Sequence, residues 1–433
     1  MALSSPIFLS GFLPLSLLLF LFCGRRKGLR LAAALLLAGG FFLLSGQRNA
    51  VSIAALLLLW LGAALLPRLG RAGRRAYLGY CLAALLLGRL PFAAELRPVG
   101  VTYTALQGVM LAALFEKEGL PQSSLSDRLM PMTFFPTMSS GPLLRPDRYA
   151  GRWEPAKLDW AETAAGLRRL TVGLAKKLLI AERLRPLAMA GYSGLGAGDS
   201  LLTALFAMLY VYYDFSGYTD MALGLGRMLG VALSENFDRP FSADSLRNFW
   251  RRWHITLSAF LRDFIYIPLG GSRRGTVRTA VALLLTFLAS GLLHGATLPF
   301  LLFGLWHACW VMLEHFRLVR PGQWRPAARR LYVWAVMGFS FVIFLSPDGR
   351  GLLQALRGFA CAGPFFSGET LAALDPVTVG AAALALALPW ASRRLSAIRI
   401  SGALRDGLLI LLLAVCYVAA VGRGFTPFLY AGF

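Results

Sequence analysis

The sequence predicts an all-α protein that crosses a membrane many times, and three observations carry that expectation. Hydrophobic residues make up 57% of the 433 positions, and mean hydropathy is +0.62. Apolar runs of about 20 residues, the length a hydrocarbon layer of roughly 30 Å asks of a helix, recur from one end to the other. The basic residues collect in the short polar intervals between those runs. A soluble core of this size would not need so much apolar surface.

In chain order the apolar runs begin near Ile7, Leu31, Val51, Tyr77, Val99, Leu201, Thr279, Pro299, Leu331, Leu374 and Leu404, which gives about eleven spans. The first has no basic residues ahead of it and its positive charge follows, so it reads as a retained helix and not as a leader. Arg25, Arg26, Lys27 and Arg30 follow that first run, and Arg68, Arg71, Arg74 and Arg75 follow the third. Arg273, Arg274 and Arg278 precede the run at Thr279, and Arg317, Arg320, Arg325, Arg329 and Arg330 follow the next. The positive-inside rule makes these loops cytoplasmic and puts the N-terminus outside. A twelfth stretch, Gly166 to Met189, is interrupted by Arg168, Arg169, Lys176 and Lys177 and suits the membrane surface better.

The formal charge of +23 needs no nucleic acid, because topology and anionic membrane lipid account for where it lies. Cys23, Cys81, Cys309, Cys361 and Cys416 sit singly in apolar surroundings, a pattern of neither a disulfide framework nor a zinc site. No linker or repeat divides the chain. One membrane domain is expected, with N-terminal helices at 1–97, a core at 98–320 and C-terminal helices at 321–433. Any chemistry must then lie within the helices or at their ends.

Residues 200 to 315 hold what a bilayer does not explain. All four histidines are there, His254, His294, His307 and His315, with the acids Asp214 and Asp220 inside an apolar run. An ionisable group in such a place lines a functional interior or pairs with a basic or tyrosine side chain to fix packing. From Phe249 to Gly271, helical spacing puts Trp250, Trp253, His254, Leu257, Leu261 and Phe264 on one face and Arg251, Arg252, Arg262 and Asp263 mostly on the other. That helix is too polar to cross and should lie in the interface or re-enter, with His254 facing inward as a structural hydrogen bonder or a catalyst. Thr286, Ser290, His294 and Thr297 follow at helical steps and form a polar stripe, the mark of a water-filled path. Gly291 and Gly295 beside it would leave room for a substrate. His307 could face the same path, while His315 reads as interfacial. Imidazole suits base catalysis because its unperturbed pKa is about 6.5. No G-x-S-x-G elbow, H-E-x-x-H or Walker loop occurs.

The run DFSGYTDMALGLGRMLGVALSENFDRPFSADSLRNFWRRWHITLSAFLRDFIYIPLGGSRRG, from Asp214 to Gly275, resembles bacterial membrane-bound O-acyltransferases of the alginate O-acetylation type. SGLLHGATLPFLLFGLWHA, from Ser290 to Ala308, resembles the paired histidine motif of that family. SSPIFL, PVGVTYTALQ, FFPTMSSGPLLRP, GLAKKLLIAERL and the closing PFLYAGF extend the likeness over nearly the whole chain. The resemblance implies that His294, the first of the pair, is catalytic, and that Trp253 and His254 wall the place where donor and active centre meet. Two positions depart from the family pattern: Leu293, not Trp, precedes His294, and Ala308 stands where a glycine usually follows the second histidine.

The expected activity is transfer of an acyl group, above all acetyl, to a hydroxyl of an extracytoplasmic polysaccharide or to a relay protein. The donor would be a cytoplasmic thioester such as acetyl-CoA, no cofactor would stay bound, and the setting would be a bacterial inner membrane with acetylation partner proteins. Arg251, Arg252, Arg273 and Arg274 would draw the donor's phosphates. D-alanyl transfer from a carrier-protein thioester is the alternative within the superfamily. A transporter is the alternative outside it, since intramembrane charges also mark transport paths.

Overall fold

The computed structural model describes residues 2–23, 26–45, 50–87, 89, 100–118, 124–149, 159–193, 196–360, 364–397, 401–422 and 428. Arg25, Pro98, Val99, Cys361 and, apart from Phe428, the closing PFLYAGF lie outside them. Every apolar run named above forms a helix, and among the described residues there is no strand. The chain gathers into two compact units, 1–174 with 218–235 and 413–433, and 175–217 with 236–412. The units do not follow the blocks 1–97, 98–320 and 321–433.

The first unit holds α1 (Leu13–Cys23), α2 (Lys27–Leu44), α3 (Ala50–Leu65), α4 (Arg71–Leu87), α5 (Val101–Glu118), α6 (Leu125–Thr133), the single turn α7 (Pro146–Tyr149) and nearly all of α8 (Trp160–Ala175). Small residues set its packing, as in membrane bundles where backbones must approach without help from a hydrophobic drive. A Cβ on Gly108 would stand 2.6 Å from Cys81 Sγ and 2.9 Å from the Tyr77 hydroxyl, and one on Gly62 would overlap the Tyr77 ring. Tyr77 thereby ties α3, α4 and α5 together, and its hydroxyl donates to Leu59 O at 3.0 Å. Gly166 of α8 meets Gly224 backbone to backbone, each Cβ position lying 2.5–2.6 Å from the other's carbonyl oxygen.

The second unit holds α9 (Glu182–Ser193), α11 (Leu246–Trp250), α12 (Ile255–Leu261), α13 (Thr276–Leu292), α14 (Leu298–His315), α15 (Pro326–Leu345), α16 (Gly349–Gly358), α17 (Gly368–Ala373) and α18 (Pro376–Ala397). The 32-residue α10 (Ala197–Met228) passes from this unit to the first after Gly217, and α19 (Gly402–Gly422) passes likewise after Leu412. α13 and α14 form a tight antiparallel hairpin, since Gly291 abuts the Phe300 carbonyl and a Cβ on Gly304 would stand 2.5 Å from Phe287 O.

Ala50–Arg68, Pro326–Leu345 and Gly402–Gly422 are each long and apolar enough to cross a membrane alone. Phe8–Cys23, Gly28–Leu44, Val101–Glu116, Thr276–Leu292 and Pro376–Pro389 are apolar but shorter. The stretch 166–189, expected along a surface, carries Lys177 only 1% exposed, so the interruption of the apolar run is internal and compensated.

Candidate active site

The α13–α14 hairpin positions His294. α13 stops at Leu292, where the His294 N–H donates to Gly291 O at 2.9 Å and the Gly295 N–H donates to Leu292 O at 3.2 Å. Gly295 then takes φ +157, and Thr297 and Pro299 start the next helix. The polar stripe expected on one helix is therefore broken. Thr286 donates its hydroxyl back to Ala282 O, Ser290 is buried in the last turn of α13, and His294 lies beyond that helix in the connection. The room expected beside Gly291 and Gly295 is also taken, because Phe300 packs its backbone against the first and its ring against the second.

His294 is buried against the Phe344 ring at 4.9 Å between centroids, with Phe300 at 6.0 Å and Phe303 at 6.3 Å. Phe303 also touches His307 at 4.6 Å, so one ring stands between the two histidines. His307 is fully enclosed, with Trp250 edge-on at 4.8 Å and Phe287 stacked at 5.9 Å. Both of its ring nitrogens are buried without a hydrogen-bond partner among the described residues. Leaving such groups unpaired costs on the order of 1–3 kcal/mol each and calls for a functional reason.

The segment Phe249–Gly271 is not the continuous helix its spacing suggests. α11 ends at Trp250, His254 adopts a left-handed conformation (φ 42, ψ 54), α12 runs from Ile255 to Leu261, and a π-turn covers Arg262–Tyr266. None of these pieces is long enough to cross a bilayer. Asn236 holds the break: its side-chain oxygen accepts from Thr256 N at 3.1 Å and Thr256 Oγ1 at 2.7 Å, with His254 Nδ1 at 3.4 Å. Burial lowers the His254 pKa, so the ring is neutral. A contact to an acceptor-only oxygen then fixes the proton on Nδ1 and leaves Nε2 with its lone pair. The left-handed backbone turns the ring edge-on to Phe215 at 4.7 Å.

Trp253, 3% exposed, stacks on Phe249 at 5.4 Å and meets Phe341 at 5.2 Å and Phe237 at 5.1 Å. Phe341 contacts Phe303 and Phe344, and Phe237 contacts Phe215. One continuous aromatic cluster thus joins His254, Trp253, His307 and His294. Spacing alone did not reveal Phe303, Phe341, Phe344 or Asn236 as members, because they come from turns and helices distant in sequence.

The other proposed site residues lie elsewhere. Asp214 is fully buried and its carboxylate meets Lys177 Nζ at 2.6 Å, while the same ammonium meets Glu182 at 2.6 Å. It belongs to a packing ion cluster, the second of the two roles expected of it. Asp220 likewise pairs with Arg169 at 2.8 Å. Arg252 is held in its own loop, donating to Asn248 Oδ1 at 2.9 Å and Ser242 Oγ at 3.0 Å, whereas Arg251 is exposed. The first unit has its own cavity of about 370 Å³, lined by Asp159, Glu162, Arg169, Arg227 and Glu235 among others, and it contains none of the predicted site residues.

Apolar helices of membrane-crossing length, together with buried histidines joined through an aromatic cluster, define a helical integral membrane protein with a histidine-bearing core. The model of MBOAT, the membrane-bound O-acyltransferase family, matches residues 124–348, just over half of the chain, and the chain belongs to that family. It is 36% identical over 239 residues to the protein named "Probable alginate O-acetylase AlgI" of Azotobacter vinelandii, covering 53% of this chain and 48% of the relative. A peptidoglycan O-acetyltransferase of Helicobacter pylori is 30% identical over 54% of this chain and 47% of its own length. A teichoic acid D-alanyltransferase of Bacillus subtilis is 27% identical over 57% and 67%. The chain spans about half the length of the alginate relatives it matches.

Proposed function

We propose that the protein is a membrane O-acyltransferase of the bacterial inner membrane that moves an acetyl group from a cytoplasmic thioester, acetyl-CoA, to a hydroxyl of an extracytoplasmic glycan or a relay protein. His294 takes the hydroxyl proton as the oxygen attacks the thioester carbonyl. The carbon–oxygen bond forms, the carbon–sulfur bond breaks, and the proton returns to the departing thiolate. The observation that carries this reading is the position of His294 outside any helix, in the hairpin connection and within the family-matched region. His307 by contrast is sealed behind Trp250, Phe287 and Phe303, which suits holding geometry better than exchanging protons. The names of the acetylating relatives favour acetyl transfer over D-alanyl transfer.

The test compares His294→Ala with His307→Ala at equal amounts of folded protein, following acyl transfer from labelled donor. His294→Ala should lower the rate by about 10²-fold or more, the usual scale for losing a positioned base. His307→Ala should cost less. Near-normal transfer by His294→Ala with abolished transfer by His307→Ala would reverse the roles, and full activity in both would end the mechanism.

A further inference from the structure

The hairpin between α14 and α15 forms a second feature, in the second unit and built from residues the proposed chemistry does not use. An open cavity of about 720 Å³ lies there, lined by Trp310, Trp324, Tyr332, Arg317, Arg320 and Leu318 among others. Its aromatic wall is a chain of edge-to-face contacts, Trp310 to Tyr332 at 5.6 Å and Trp324 to Tyr332 at 5.3 Å. Arg329 fixes that wall, donating to Trp324 O at 2.8 Å and Gly322 O at 2.6 Å.

The two arginines lining the cavity are placed deliberately. Leu318 N–H donates to Leu313 O at 2.9 Å, closing α14 with a six-to-one turn in which Arg317 takes φ 59. That left-handed position usually goes to glycine, so an arginine there carries strain and marks a function for its side chain. Arg320 Nε donates to Arg317 O at 2.8 Å. Among the described residues no carboxylate pairs with either guanidinium, and both side chains are exposed. The same hairpin lies on the side that the basic loops assign to the cytoplasm. Beside it Leu331 is 71% exposed and Leu305 43%, an apolar track running from the cavity along the helices.

We infer that this cavity binds the head group of an anionic phospholipid, with the phosphate on Arg317 and Arg320, the glycerol against Trp324 and Tyr332, and the acyl chains along Leu305 and Leu331. Tryptophan, tyrosine and arginine meeting at one interfacial pocket match both requirements of such an amphiphile, a charged head and an apolar body.

Native mass spectrometry of the detergent-purified full chain tests this with phosphatidylglycerol, phosphatidylcholine and soluble glycerol phosphate as probes. Wild type should retain phosphatidylglycerol in clear preference to phosphatidylcholine, without displacement by glycerol phosphate. Arg317→Asn keeps a residue that tolerates the left-handed backbone. Combined with Arg320→Gln, it should weaken phosphatidylglycerol retention by about 30-fold, the scale of removing two basic groups from an anionic surface. Arg350→Gln, another exposed arginine, should not. Unchanged retention in the double variant, equal retention of phosphatidylcholine, or full competition by glycerol phosphate would each overturn the assignment. The last result would assign the cavity to a soluble phosphate compound.

Discussion

Replacing Lys177 by methionine removes the ammonium that Asp214 and Glu182 share while keeping the length and apolar stem of the side chain. Both carboxylates lie 2.6 Å from Nζ, and the three side chains are 1%, 0% and 8% exposed, so water cannot replace the lost charge. Breaking a buried pair on one side costs about 3–5 kcal/mol. At about 1.4 kcal/mol per decade, that is roughly a 10²- to 10³-fold loss in the folded ratio, large against the ~5–15 kcal/mol that holds a typical domain. Size-exclusion chromatography after graded heating in detergent should show Lys177→Met losing its monodisperse peak well below wild type. The triple variant Lys177→Met/Asp214→Leu/Glu182→Leu should recover most of the loss, because burying apolar groups in place of a charge cluster is often neutral or favourable. A Lys177→Met protein as heat-resistant as wild type would refute the view that these charges depend on one another.

Two further outcomes follow from the hairpin and the break before α12. Gly291→Ala should cost about 1–3 kcal/mol by forcing α13 off the Phe300 backbone, and should lower acyl transfer while His294 itself is unchanged. Equal thermal stability and activity would show that the close approach is not needed. His254→Asn should fold with near wild-type stability, since asparagine tolerates the left-handed region, whereas His254→Val should lose about 1–3 kcal/mol more. Identical melting of the two variants would rule out backbone conformation as a constraint at φ 42.

The helices were legible because a run of about twenty apolar residues has few readings other than a membrane helix. The places where helices stop were less so. Gly295 and Pro299 are a helix end and a helix start, a signal present in the sequence but easily read as space for a ligand. His254 gives no such signal, because a histidine in left-handed backbone looks like any helical residue until Asn236, eighteen positions earlier, is seen holding it. The partner of Asp214 was within reach, since a buried acid in one apolar run and a lysine in another each need compensation, and together they supply it. The aromatic ring between His294 and His307 was not, because Phe303 is one of 30 phenylalanines with nothing in its spacing to single it out.

The π-turn at Lys176–Ala181 fixes more than a local bend. In an α-helix, at about 100° per residue, positions five apart point some 140° away from each other. In a π-turn, where the bond runs from i to i+5, they come into line. Lys177 and Glu182 are five apart, so the widened turn is what lets the acid reach the base. The single extra residue thus sets the phase of everything after it. Deleting one position from this stretch would leave a perfectly good helix, yet rotate Glu182 and the whole of α9 out of step with Lys177. A change that no count of hydrophobic or charged residues would notice could in this way dismantle the core, and for this segment length is as much a part of the message as composition.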